Sequence, residues 1–334
     1  MLRFVLKRIA ITPFMLFGVI SLVFLLTNLR PATAIYVRAG RFATESTIQR
    51  LTEEYGLDKP LHIRYVRYLS DVVRGDFGKS ILSGRPVLTD LADYLPASLE
   101  LIGCAMVVIA IVGVFLGMIS ALHKDSFVDV IARGFGVGGI AVPQFWFGIM
   151  LVLLFFWKWG ILPAHGRIAA TLGPPQHITG LYIFDSLVAG DWERLGSALM
   201  RLILPVFALS LSELATVIRL MRNSTLKLLR SDYVLLARAH GLSRFRTIYV
   251  YVLKDAVTSI VTTLGLLAGG LLGGTFLIET VFTFPGVGYY MTNSIVNGDP
   301  NPVLGCVIVI AGVYAIANLL VDVCYALIDP RVRY

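Results

Sequence analysis

Charged residues and cysteines are both scarce in this chain of 334 residues. Only 15% of the residues are charged and 57% are hydrophobic, whereas about a quarter of the residues of an average soluble protein are charged. This balance, with a mean hydropathy of +0.78, disfavours dehydrogenases, kinases, DNA-binding modules and other water-soluble domains, and it predicts no nucleic-acid partner. The cysteines lie in apolar surroundings without a CxxC pair or a ligand spacing, so neither a disulfide framework nor a zinc site is predicted. They are Cys104, Cys306 and Cys324.

Recognisable catalytic motifs are also absent from the sequence. Neither HExxH nor GxSxG occurs, and the histidines are scattered along the chain. Residues 75–80 end like a phosphate-binding loop, but Val73 stands where that motif needs its first glycine. Residues 134–139 satisfy GxGxxG at the start of an apolar run instead of after a strand, which favours close helix packing over dinucleotide binding. The chain is therefore not predicted to be an enzyme.

Long uncharged runs are what the sequence has in abundance. A helix needs about 20 apolar residues to cross the hydrocarbon core of a bilayer, and five charge-free runs reach that length: residues 9–29, 101–122, 134–157, 256–278 and 300–321. A sixth run, residues 202–218, is uncharged except for Glu213. The first run is about twice as long as the apolar core of a secretory signal, which favours a retained helix over a cleaved one. The sequence predicts an all-α integral membrane protein with six transmembrane helices.

The distribution of lysine and arginine orients these helices. Taken together, the N-terminus, loops 123–133 and 219–255 and the C-terminal tail carry 15 basic and six acidic residues, whereas loop 279–302 has no basic residue. Short basic loops stay in the cytoplasm, so both termini are predicted to be cytoplasmic. Two outer segments, residues 30–97 and 158–201, are too long to be simple turns, and the first is expected to form a small packed subdomain. The predicted division is a first helix (1–30), this outer subdomain (31–97) and a core of five transmembrane helices (98–334).

The inner loop 219–255 carries eight basic and two acidic residues, and it contains a short predicted helix. Ser231 can cap the first turn, Asp232 meets the positive end of the helix dipole, and Gly241 supplies a left-handed stop. A rigid helix at the inner face of the membrane, with small Ala237 and Ala239 exposed for close contact, suits docking against a cytoplasmic partner. A basic loop that attracts anionic lipid explains the same charges, and the residues alone leave both interpretations open.

Carboxylates inside or beside the spans are the remaining candidates for function. Glu100 and Glu279 lie at helix ends, within reach of the lipid headgroups. Glu213 is the one carboxylate deep in a predicted span, and a charge at that depth should face a partner or a water-filled cavity. A cavity-lining role and a structural pair with another subunit are equally compatible with the sequence.

Residues 232–242 resemble the EAA loop of ABC importer permeases, in the DYxxxARAxGL form typical of the oligopeptide and dipeptide family. Companion motifs similar to those of the B-type permease of that family occur in order at residues 56–60, 75–80, 96–101, 279–288 and 318–334. The resemblance therefore extends over nearly the whole chain. It departs from the general importer pattern at Lys254, where a proline is usual, and at His240, which replaces a more usual lysine.

The resemblance implies a type I ABC importer permease fold and the role of one membrane subunit in a larger complex. The implied partners are a second homologous permease, two cytoplasmic ABC ATPase subunits, an extracytoplasmic solute-binding protein and membrane lipid. ATP and Mg²⁺ would bind to the ATPase subunits, so no cofactor is expected on this chain. The implied location is the bacterial cytoplasmic (inner) membrane, and the implied cargo is a di- or oligopeptide, although glutathione, nickel chelates and sugars pass through similar permeases.

The resemblance also assigns roles to particular residues. The ATPase-coupling helix would comprise Asp232, Tyr233, Ala237, Arg238, Ala239, His240 and Gly241. Pathway or gating candidates are Glu213, Glu279, Phe282, Pro285, Gly286 and Gly288, and the first long outer loop with residues 282–288 would dock the binding protein. The alternative hypothesis is a proton-coupled secondary carrier in which Glu213 takes up and releases the proton.

Overall fold

A computed structural model describes residues 2–28, 44–54 and 58–328. Within these ranges the regular structure is helical, and β pairing is limited to one isolated bridge between Lys79 and Pro86. The helices are α1 (Leu2–Asn28), α2 (Glu45–Glu54), α3 (Leu61–Val73), α4 (Val87–Leu122), α5 (Phe127–Ala141), α6 (Gln144–Leu151), α7 (Tyr182–Ala189), α8 (Trp192–Leu228), α9 (Asp232–Ala239), α10 (Leu253–Val281), α11 (Val287–Val296) and α12 (Pro300–Ile328). Wider π-helical turns extend α6 (Val152–Lys158) and lead into α10 (Thr247–Val252) after one short turn (Arg244–Arg246). The predicted all-α class is confirmed.

The apolar helices coincide with the predicted spans. Among the described residues, α4, α8 and Pro300–Leu319 of α12 are each long and apolar enough to cross a membrane. Two bent pairs qualify if each is counted as one span: Phe127–Ala141 with Gln144–Lys158, and Arg244–Thr258 with Thr263–Leu271. The apolar stretch Ala10–Leu25 of α1 is shorter. The chain is therefore a multi-helix membrane protein, and the count of six spans stays a prediction.

The predicted span 134–157 is not one straight helix. α5 ends at Ala141, α6 begins at Gln144, and the two helices meet at an angle of 108°. Pro143 has no N–H to donate, and its ring disfavours the helical conformation for Val142, which is extended with φ −88° and ψ 125°. Absence of charge located the two apolar helices, but a count of charges does not register the proline that separates them.

Glycines bring three of the helices into close contact. A Cβ built on Gly117 of α4 would lie 2.6 Å from the Cβ of Met221 on α8, and one on Gly113 would lie 2.7 Å from Val217. On another face of α8, a Cβ on Gly139 of α5 would lie 2.9 Å from the Cβ of Ala215. The GxGxxG pattern of α5 therefore serves helix packing, as predicted.

The two ends of α10 define two ends of the molecule. Its 29 residues span about 43 Å at 1.5 Å per residue, with the loop 219–252 before it and the segment 282–299 after it. We call the first the inner end and the second the outer end, after the predicted sides of the membrane. At the outer end, α3 contacts α1 through Tyr65 and Tyr68, whose rings lie 5.2 and 5.3 Å from that of Phe24.

Some sequence predictions fall on parts of the chain that the structure does not describe. They concern residues 32–34, which could imitate the cleavage site of a secretory signal, the motif residues 56–57 and the C-terminal tail with the motif residues 329–334. The outer subdomain 31–97 also stays a prediction, although α4 begins at Val87, ten residues before the predicted boundary.

Candidate functional site

The inner loop folds around the predicted short helix, α9. Its end is left-handed, because Gly241 has φ +76° and the N–H groups of Gly241 and Leu242 donate to Arg238 and Ala237 at 2.9 and 3.2 Å. The predicted cap at the start is wrong. The Ser231 hydroxyl donates to the carbonyl of Leu228 at 2.6 Å instead of accepting from α9.

The two faces of α9 have different environments. Val234 and Ala237 are buried against the rest of the chain, so the predicted exposure of Ala237 is wrong. Leu235 and Leu236 point outward with 52% and 59% of their surface exposed. Asp232, Arg238, Ala239 and His240 are also exposed. The outward face of α9 is thus apolar at its centre and charged at its ends.

A tyrosine links α9 to the start of α10. The hydroxyl of Tyr233 donates to Oδ2 of Asp255 at 2.9 Å. Partial burial raises the pKa of Tyr233, and the hydrogen bond to Asp255 raises it further. The phenol therefore stays protonated and keeps donating to the carboxylate at neutral pH.

Further apolar side chains extend the exposed surface of α9. Phe245 is 71% exposed and its ring lies 4.4 Å from that of Tyr249. Val250 is exposed as well, and Arg244 and Arg246 border the same stretch. Exposed apolar side chains beside charged ones are typical of an interaction site. We call Leu235, Leu236, Phe245, Tyr249 and Val250 the inner patch.

A buried carboxylate before the inner loop joins three helices. Asp129 on α5 accepts from Nε and Nη2 of Arg222 on α8 at 2.6 and 2.8 Å. The hydroxyl of Ser120 on α4 donates to the same carboxylate at 2.6 Å. In the sequence, Asp129 and Arg222 are charges of the two inner loops. Nothing local predicts that they pair, because 93 residues separate them.

At the outer end, Glu279 lies buried under the first turn of α11. Its carboxylate accepts from the hydroxyl of Ser98 on α4 at 2.6 Å and from the N–H of Tyr289 at 3.0 Å. Ser98 in turn accepts from the N–H of Val287 at 2.8 Å. Two otherwise unsatisfied N–H groups of α11 are bonded in this way. The expectation that Glu279 reaches the lipid headgroups is therefore wrong, because its side chain is fully buried.

The glycines of the outer motif make room for this carboxylate. A Cβ on Gly286 would lie 2.4 Å from Cδ of Glu279, and one on Gly288 would lie 2.4 Å from Cα of Phe276. Phe282 is buried beside Gly148, and Pro285 is partly buried. These residues belong to the packed outer end, and their role in gating stays a prediction.

A second carboxylate has the corresponding position under α7. Glu100 accepts from Nε and Nη2 of Arg167 at 2.9 and 2.7 Å and from the N–H of Ile183 at 2.6 Å. The guanidinium carbon of Arg167 lies 3.7 Å from the ring centre of Tyr182. Both charged groups are almost fully buried, so the expectation that Glu100 reaches the headgroups is also wrong.

Asp185 on α7 is a third buried carboxylate at the outer end. Burial alone would raise the pKa of Asp185, but hydrogen bonds from Thr179, Ile178 and Gly180 outweigh it and lower the pKa. The carboxylate therefore stays charged and holds the turn before α7 in place.

The segment 75–80 has a structural role at the outer end. The hydroxyl of Ser80 donates to Asp299 at 2.8 Å, and Asn301 donates to the carbonyl of Lys79 at 2.9 Å. These contacts attach the segment to the start of α12. In the described part of the chain, His, Cys, Asp and Glu also form no group able to hold a metal ion.

Glu213 differs from the other carboxylates of the spans. It lies on α8, is partly exposed, and makes no hydrogen bond or ion pair with any residue in the ranges described. Arg219 is exposed, and no contact joins it to Glu213. The geometry therefore offers no partner for this carboxylate within the described chain.

Comparison with known proteins adds a separate line of observation. A family model described as "Binding-protein-dependent transport system inner membrane component" matches residues 113–334, and one for the N-terminal part of such membrane components matches residues 1–102. The chain is 38% identical over 315 residues to the probable D,D-dipeptide transport system permease protein DdpB of Escherichia coli K12, which covers 94% of this chain and 93% of that protein. It is 34% identical over 334 residues to the dipeptide transport system permease protein DppB of Alkalihalophilus pseudofirmus, covering 100% of both chains. It is also 34% identical over 337 residues to DppB of Escherichia coli K12, covering 100% of this chain and 99% of that protein.

Proposed function

The chain belongs to the family of binding-protein-dependent transport system inner membrane components, and from that premise we propose that it is the permease subunit of an ATP-driven importer of di- or oligopeptides. Similarity to dipeptide permeases over the full length of the chain is the observation that carries the proposal. The chain is a non-catalytic membrane subunit, and ATP hydrolysis belongs to partner chains. The comparisons favour this function over the proton-coupled carrier.

We propose that α9 with the inner patch docks on a cytoplasmic ATPase subunit. Exposed Leu235 and Leu236 provide an apolar contact, and the arginines around them provide charge. When the ATPase subunits close, α9 moves with them, and the bond between Tyr233 and Asp255 carries that movement to α10. The ion pair of Asp129 and Arg222 then distributes it over α4, α5 and α8.

The remaining partners follow from the same proposal. A second homologous permease completes the pathway, two ATPase subunits bind ATP and Mg²⁺, and an extracytoplasmic binding protein delivers the cargo. Both termini lie in the cytoplasm of a bacterial cell whose inner membrane holds the complex. Because Phe282, Gly286 and Gly288 are buried, their role in this scheme is to hold α11, and the exposed parts of the outer segments remain for contact with the binding protein.

Reconstitution of the complete complex in vesicles tests the function. We expect uptake of a labelled dipeptide that needs the binding protein outside and ATP at the ATPase subunits, and that continues when an ionophore collapses the proton gradient. Uptake by this chain alone, or uptake that stops with the proton gradient, would overturn the proposal.

Two variants at the inner end test the coupling role. Gly241→Pro is incompatible with φ +76°, and Ala239→Trp places a large ring on the exposed face of α9. We expect both proteins to insert and assemble but to lose the ATP hydrolysis that loaded binding protein stimulates. Normal coupled uptake by either variant would contradict the role of α9.

A further inference from the structure

Two faces of α8 (Trp192–Leu228) are covered by α4 and α5, and α6, α7 and α10 also contact this helix. α4 packs on Val217 and Met221, and α5 packs on Ala215. The third face consists of positions three or four residues apart, which lie above one another on an α-helix. They are Leu209, Glu213, Thr216, Leu220, Asn223 and Lys227.

This third face becomes more exposed toward the inner end of the molecule. Leu209 is buried, Glu213 and Thr216 are partly exposed, and Asn223 and Lys227 are exposed. Polar side chains on a spanning helix rarely face lipid, and they mark the side that meets water or a partner. The third face of α8 therefore has the character of a pathway wall.

The helices beside this face leave space. Gln144, next to the break at Pro143, donates to the carbonyl of Leu209 at 3.2 Å, and its Oε1 lies 3.5 Å from where a Cβ on Gly274 of α10 would stand. Near that contact, a Cβ on Gly270 or Gly273 would have no atom within 4 Å. α10 thus has two glycines facing open space near the point where Gln144 contacts both helices.

Glu213 lies about one turn from Leu209 toward the inner end and differs from the two carboxylates Glu100 and Glu279. Glu100 and Glu279 are buried and bonded to donors of this chain, whereas Glu213 is bonded to none of the described residues. It lies 11 residues from the outer limit and five residues from the inner limit of the predicted span 202–218, about 17 and 8 Å along the helix. A carboxylate at such depth is costly without a cation or water.

We propose that Glu213 receives the ammonium groups of peptide cargo as the cargo moves along the third face of α8. The inference rests on the proposed function, because a peptide carries an α-ammonium group at neutral pH, and lysine side chains add further ammonium groups. The other polar groups near Glu213, the Gln144 amide and the Thr216 hydroxyl, are uncharged and so do not compete for an ammonium group. The next charge on this face, Lys227, is 14 residues or about 21 Å away, which is beyond the screening length of physiological salt.

The experiment measures the charge preference of translocation in the complete reconstituted complex. The binding protein is saturated separately with alanyl-lysine and with alanyl-aspartate, so that its own selectivity does not enter, and the rates of ATP-driven uptake are compared. We expect Glu213→Gln to lower the ratio of the two rates about fivefold, the factor that one partly solvated ion pair supplies. Glu213→Asp keeps the charge and should retain most of the ratio.

Glu193→Gln is the matched control, because Glu193 is exposed in the first turn of the same helix and outside the predicted span. It should leave the ratio unchanged. An unchanged ratio in Glu213→Gln would overturn the inference while leaving the proposed function intact. Loss of the second permease from the purified Glu213→Gln complex would identify Glu213 as a subunit contact and overturn the inference too. If the wild-type complex moved neither dipeptide with ATP, the proposed function itself would fail.

Discussion

The outer and inner ends of this permease differ in the surroundings of the side chains that distinguish them. At the outer end, Glu100 and Glu279 are buried, and each is bonded to donors from the same chain. At the inner end, Leu235, Leu236 and Phe245 stand exposed beside arginines, and nothing in the described chain covers them. The buried carboxylates of the outer end are therefore satisfied within this chain, whereas the exposed apolar side chains of the inner patch are available to the partner that we propose. A substitution at the outer end should cost stability, and one at the inner patch should cost coupling.

The largest effect on stability should come from Arg167→Ala. It leaves the Glu100 carboxylate buried without its cation, which costs about 3–5 kcal/mol of unfolding free energy. Unfolding of the purified protein in detergent measures the loss. Adding Glu100→Gln should recover part of it, and Arg74→Ala, at an exposed outer position, should change stability by no more than about 0.5 kcal/mol. An Arg167→Ala protein as stable as the Arg74→Ala control would break the comparison.

A smaller loss is expected from Gly286→Ala. The added methyl group would lie 2.4 Å from the Glu279 carboxylate, which the surrounding hydrogen bonds hold in place. We expect a loss of about 1–3 kcal/mol, as for overpacking in a core. Gly312→Ala is the matched control, because a Cβ there has no atom within 4 Å. Equal melting temperatures for the two variants would show that the surroundings of Glu279 accommodate a methyl group without loss of stability.

A still smaller effect should follow from Tyr233→Phe at the inner end. It removes one partly exposed hydrogen bond to Asp255, worth about 0.5 kcal/mol. Because the pKa of Tyr233 is raised above its ordinary value of 10.0, this contribution is present below that pH and is lost as the pH rises through the raised pKa. Stability curves of wild type and variant against pH should therefore converge above pH 10, and parallel curves would contradict the assignment.

The smallest change in stability is expected for Leu236→Ala. The side chain is 59% exposed, so unfolding free energy should change by less than about 0.5 kcal/mol. Its affinity for the purified ATPase subunit, measured by titration in nanodiscs, should nevertheless fall about tenfold, as for an apolar anchor at an interface. A loss of stability without a loss of affinity would reverse the proposed difference between the two ends.

Local features of the molecule could be predicted from the sequence, and contacts between distant segments could not. The α9 helix, its stop at Gly241 and the positions of the apolar helices follow from spacing and composition within a few turns. The environment of Glu279 depends on Ser98, 181 residues away, and the identical local sequence could have exposed it to lipid. The burial of Ala237 could likewise not be predicted from local sequence, because the residues that cover it come from other segments.

The hydroxyl of Ser98 has a kinetic consequence. It donates to Glu279 on α10 and accepts from Val287 on α11, so one atom of α4 holds both bonds. Any motion that separates α4 from this corner must break the two bonds together before water can replace either. A serine-to-alanine change at this position would remove both bonds, so α4 would separate from this corner more easily.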